Sequence, residues 1–135
     1  MSHFTTLRTQ ITDAGCLKKA LADLGFATVE VHATPQHLYG FQGDVRPETA
    51  EVIIRRQHVG FASNDIGFKR RADGTFDAIV SAYDRGGYSH AWLDRLSQRY
   101  AYHVAKQKLA EQGFALAQEE TSADGRVRLV LRRMA

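Results

Sequence analysis

Two Asp-Gly dipeptides, Asp73–Gly74 and Asp124–Gly125, each sit between runs in which apolar and polar residues alternate. Asp-Gly accepts the positive φ angles of a tight turn, and the alternation turns one side of each flanking strand inward. "DIGFKRRADGTFDAIVSAY" and "FALAQEETSADGRVRLVLRR" are therefore expected to be hairpins. A chain with two hairpins of this kind is committed to antiparallel pairing. Helices do not follow every strand, which argues against a doubly wound parallel sheet.

The remaining segments fit around those hairpins. Residues 3–11 read as an extended stretch carrying Phe4, Leu7 and Ile11. Asp13 is a good N-cap, and Leu17, Ala20, Leu21 and Leu24 follow at helical spacing up to Gly25, which suits the residue just past a helix end. "ATVEVHA" reads as a strand closed by a turn at Pro35, and "HLYGFQG" as a second strand. "AEVIIRRQ" is a third, with Val52 and Ile54 on one face and Ile53 on the other. A long helix runs from Ser89, its cap, to Gln112, with Gly113 ending it. The expected fold is α+β: a single antiparallel sheet with two helices packed on one face, a relative of the ferredoxin-like arrangement, the last hairpin extending the sheet. At 135 residues the chain is expected to form one domain over residues 1–135.

The long helix carries the most informative pattern. Placing its residues 100° apart puts Leu93, Leu96, Tyr100 and Val104 on one stripe, expected to be buried, with the Tyr100 hydroxyl reaching the sheet edge or a partner. Trp92, Arg95, Arg99, Tyr102, His103 and Lys106 fall on a broad sector away from it. Arg99 and His103 share a ridge at i, i+4 spacing. Arginine and aromatic side chains together are the usual anchors of a partner surface.

Other chemistry is poorly supported. Cys16 is the one cysteine, so neither an intrachain disulfide nor a four-cysteine zinc site can form, and its expected role is packing. His3, His32, His37, His58, His90 and His103 lack the paired spacing of a zinc helix, and no metal or cofactor is expected. Met1-Ser2-His3 has the register of an N-terminal copper(II) motif, which removal of Met1 would destroy. "DRGGYSH" brings Arg85, Gly86, Gly87 and Ser89 to the start of the long helix, a weak anion-binding signal without a P-loop or dinucleotide fingerprint. The net charge of +3 is uneven: residues 1–50 are roughly balanced, and basic residues gather later, at Arg55–Arg56, Lys69–Arg70–Arg71, the helix around Arg99, and Arg126, Arg128, Arg132 and Arg133. Such basic strands with Tyr39, Phe41 and Phe68 offer an alternative use in nonspecific RNA binding, although an RNA-recognition module would need a fuller aromatic pattern. No apolar run approaches a membrane span, and a cytoplasmic location is expected.

"MSHF", "LKKALADLG", "YGFQG", "DIGF", "QRYAYH", "EQGF" and "DGRVRLV" occur in an order that resembles the hypothetical chloroplast open reading frame thirty-five family of cyanobacteria, red-algal plastids and other bacteria. The resemblance covers nearly the whole chain. Residues 56–64 depart from it, and Ala82 stands where a relative would carry an acid. It implies a cytosolic or stromal domain to which no catalytic residue can be carried over.

The expectation is a non-catalytic accessory or adaptor domain. It would bind a protein partner, or its own copy, through Trp92, Arg95, Arg99, Tyr102 and His103, with His3 nearby. A small-molecule pocket around His3, Tyr100 and His103 is the enzymatic alternative.

Overall fold

A computed structural model of the chain describes residues 4–60, 62–81 and 87–133. In order, the elements are β1 (Phe4–Arg8), α1 (Ala14–Asp23), β2 (Glu30–Tyr39), β3 (Val45–Ile54), a single 3-10 turn (Arg56–His58), β4 (Ile66–Arg70), β5 (Phe76–Ser81), α2 (His90–Glu111), β6 (Phe114–Thr121) and β7 (Val127–Arg133). Strands β1 to β5 form one sheet in the order β1-β5-β4-β3-β2, and every pairing is antiparallel. The α+β class holds, with both helices on one face. A ferredoxin-like sheet would join two parallel strands at its centre, so that likeness is one of class rather than of strand order.

Alternation divides the sheet as expected. Val52, Ile54, Phe68, Phe76, Ala78 and Val80 point to the helix-covered side, where they meet Leu17, Ala20 and Leu21 of α1 and Trp92, Leu93 and Leu96 of α2. Ile53 and Ile79 point to the other side and cluster with Leu38 and Ala50. The second face is covered by the chain's own curled hairpin. Pairing of β2 with β3 jumps from Val31–Val52 to Gln36–Ala50, a large bulge that bends the hairpin. Pro35 lies inside this bulge on an edge strand, so its missing N–H removes no ladder bond. Hence the turn expected at Pro35 does not form, and the two short strands anticipated there are one.

Leu38 then lies directly on Gly67. A Cβ built on Gly67 would come within 2.8 Å of the Ala50 Cβ and 2.9 Å of a Leu38 methyl. Only glycine leaves that space, which explains the Gly in "DIGF".

The loop before β4 is fixed by a fully buried carboxylate. Asp65 accepts from the Tyr39 amide at 2.8 Å, the Arg56 amide at 2.6 Å and Arg55 Nη1 at 2.9 Å. Arg55 also grips Glu30 through Nε and Nη2 at 2.9 and 3.0 Å, and lies over the Tyr39 ring. Burial works against the Arg55 charge, yet bonds to Glu30 and Asp65 outweigh it and raise its pKa.

The C-terminal hairpin turns at Asp124–Gly125 as expected, with Gly125 at positive φ, but it does not extend the sheet. β6 and β7 form a separate two-stranded ribbon against the far half of α2.

Two stability outcomes follow. Gly67→Ala forces Leu38 or Ala50 to shift and should cost about 1–3 kcal/mol in urea unfolding with an unchanged m-value. Asp65→Ala leaves two backbone donors and a guanidinium facing a buried void, and should cost about 3–5 kcal/mol by the same measurement.

Candidate functional site

α2 answers the question of where a functional face lies, because it is asked to do several things at once. Its N-terminal half buries Trp92, Leu93 and Leu96. Trp92 stands edge-on to Tyr88 and Phe26 and packs against Phe68. Trp92 was expected on the outward sector; the buried stripe is instead rotated towards it, because the large indole gains more from burial than Val104, which stays half-buried. Ser89 occupies the N-cap, but its carbonyl alone serves the helix, accepting from the Leu93 amide at 3.0 Å; no side-chain cap bond forms.

Tyr100 is half-buried, and its hydroxyl accepts from the amides of Thr12 and Asp13, both at 3.0 Å. It therefore completes the start of α1, where Asp13 Oδ1 caps the Cys16 amide. His103 reaches the opposite end of α1: its Nε2 lies 2.7 Å from Asp23 Oδ2. Ten residues of helix, about 15 Å, separate those ends, so Tyr100 and His103 do not converge on a pocket. His3 lies outside the described residues.

Arg99, Tyr102 and His103 form the ridge anticipated from sequence, but its groups face inward neighbours. Arg99 Nε donates to Asp23 Oδ2 at 2.9 Å, its Nη1 lies 3.6 Å from Glu119 Oε1 of β6, and its guanidinium sits 4.3 Å over the Tyr102 ring. Tyr102 is 9% exposed and donates its hydroxyl to Glu119 Oε2 at 2.9 Å. Burial, then the Glu119 bond and charge, push the phenol above its ordinary pKa, which keeps it a donor. Burial opposes ionisation of Asp23, but the bonds from His103 and Arg99 prevail and hold its carboxyl below the usual range. The expectation that Tyr102 lies on an open sector fails because the ribbon covers it. Periodicity within one helix carries no signal for a second layer contributed by a later hairpin.

The other residues singled out are dispersed. Arg95 is exposed one turn before Arg99, Gly87 is half-buried, and Arg85 and Gly86 lie outside the described residues. Cys16 is buried and donates its thiol to Gln107 Oε1 at 3.2 Å; burial, then the nearby Asp13 carboxylate, raise its pKa, which disfavours the nucleophilic thiolate. His32 bonds Glu30 and His37 bonds the Arg46 carbonyl, and among the described residues no three His, Cys, Asp or Glu side chains gather as a metal cage. Phe68 is fully buried beneath the helices, so it is unavailable as a base-stacking surface. No described helix is long and apolar enough to cross a membrane.

What remains open on α2 is the side opposite its buried stripe. Ser97, Ala101 and Ala105 follow one another at four-residue spacing there, with a cleft along each flank. One, of about 470 Å³, lies against the ribbon and is walled by Gln98, Tyr102, Arg126 and Val127. The other, of about 460 Å³, lies against the end of β1 and is walled by Ile11, Tyr100, Val104 and Lys108.

The ridge makes a pH-dependent contribution to stability. A carboxyl with a depressed folded pKa stabilises above its unfolded value and loses that effect as pH falls through the folded value. Asp23→Asn should lower the melting temperature by about 3 °C at pH 7, and the deficit relative to the parent should shrink below about pH 4. Thermal unfolding followed by circular dichroism at both pH values checks this.

No solved structure is significantly similar to the chain. "Uncharacterized protein ycf35" of Pyropia yezoensis is 30% identical over 98% of both chains, and the protein of that name in Cyanophora paradoxa is 28% identical over the same share. A third, from Guillardia theta, is 25% identical, again over 98% of each chain. The family described as "Protein of unknown function (DUF1257)" matches residues 20–130. With β2 to β6, the whole of α2 and most of its length inside that match, the chain belongs to the DUF1257 family, alongside the ycf35 proteins.

Proposed function

We propose that this protein is a non-catalytic accessory domain that binds a partner protein through the outer side of α2. The observation that carries the reading is the Ser97–Ala101–Ala105 row, low in profile and bordered by clefts on both flanks. A row of small residues at i, i+4, i+8 between two grooves is the relief into which the ridge of another helix packs. The occupant is accordingly an amphipathic helix of the partner. Its polar margins are acidic, to meet Lys108 on one rim and Arg126 on the other. Trp92, Arg99 and His103 position the helix from behind, and Tyr102 walls one cleft. Titratable groups near the surface are already bonded to one another, which favours recognition over acid–base chemistry.

A photo-crosslinking amino acid at position 98 tests the geometry. In cells, Gln98→p-benzoylphenylalanine should crosslink to a helical segment of one partner, identified by mass spectrometry. Adding Ala101→Arg, which fills the row at an exposed position, should reduce that adduct by about ten-fold while the melting temperature stays within about 2 °C. An adduct of unchanged yield in the Ala101→Arg variant would remove α2 as the docking surface.

A further inference from the structure

The ribbon has one partnered face and two open edges. β6 and β7 pair only with each other among the described residues, and packing of one face on α2 supports them without a third strand. Each edge strand leaves every second N–H and C=O pointing outward, which is the template used in strand addition. β7 carries a further feature. Register places Arg128 opposite Glu120, Val130 opposite Gln118 and Arg132 opposite Ala115, so these three β7 residues share one face. Arg128 lies 3.8 Å from Glu120 and its side chain is 76% exposed, whereas exposed Arg132 has only an alanine across the ladder. The face holds two arginines four residues apart, flanking a valine, and β6 supplies one carboxylate.

We propose that the free edge of β7 accepts an extended acidic segment of a partner protein as a third strand. Its carboxylates stand four residues apart, opposite Arg128 and Arg132, and an apolar residue between them covers Val130. This surface is separate from the outer side of α2. A second copy of the chain does not fit: antiparallel self-pairing about Val130 sets Arg128 against the copy's Arg132 at both ends. An RNA strand is disfavoured because the edge offers backbone amides and carbonyls in a row without a stacking platform.

Fluorescence anisotropy on the full chain tests the proposal. The probe is a fluorescein-labelled peptide, Thr-Glu-Thr-Val-Thr-Glu-Thr. Its isomer Thr-Thr-Glu-Val-Glu-Thr-Thr has the same composition and net charge but carboxylates only two residues apart. The first should bind at least about five-fold more tightly than the second, since only its acids fall opposite both arginines. Methylating alternate backbone nitrogens on the pairing edge should weaken it by a similar factor. Arg132→Glu, which has no cross-strand carboxylate to repel within the ribbon, should abolish the preference while Ala101→Arg leaves it intact. Equal binding of the two isomers, or a preference that survives Arg132→Glu, would overturn the inference. So would tighter binding of a fluorescein-labelled oligouridylate than of either peptide, with that binding lost in Arg132→Glu.

Discussion

The buried carboxylate of Asp65 is the constraint on which the sheet depends. Its three donors come from Tyr39 at the end of β2 and from Arg55 and Arg56 just past β3, so one side chain ties two segments to the start of β4. A buried carboxylate is tolerable only when its oxygens are saturated and a counter-charge is at hand. Arg55 supplies the charge, and Glu30 on β2 holds Arg55 in turn. Because Tyr39 is tied there, the hairpin must curl, and curling is what brings Leu38 onto Gly67 and seals the second face of the sheet. The sheet can then devote its other face wholly to the helices.

The same economy governs α2. One side packs on the sheet, a second joins α1 through Tyr100, His103 and Gln107, and a third receives the ribbon through Tyr102 and Glu119. The strip of Ser97, Ala101 and Ala105, with the exposed polar side chains beside it, is left for anything else. The arginine and histidine that look like partner anchors in isolation are the fasteners between layers. A polar seam of this kind adds modest stability per bond while fixing the angle at which the layers meet.

Much of this was legible in the residues. Both Asp-Gly turns, the Asp13 cap, the glycines that end each helix and the two-sided pattern of "EVIIRR" are local signals, and the structure bears them out. The misreadings share a cause. Pro35 breaks a strand only where its nitrogen owes a bond, and nothing local reveals that β2 is a bulged edge. Trp92 departed from the expected stripe because its indole draws the buried side towards itself, and Tyr102 because a second layer, the ribbon, presses on α2. Asp65 and Arg55 carry no periodic signal at all. A carboxylate directly before an apolar strand was the available clue, and it points to burial only once the loop's path is known.

The bond from Tyr100 to the start of α1 bears on how the chain reaches this state. Residues 12 and 13 receive their acceptor from a side chain 88 and 87 positions away, and β1 forms its ladder with β5. Topologies dominated by such distant partners fold slowly, because loop closure precedes any gain. During synthesis β1 must therefore wait until β5 has emerged, and the start of α1 until Tyr100 has followed it, whereas the meander from β2 to β5 can assemble from near neighbours as it emerges.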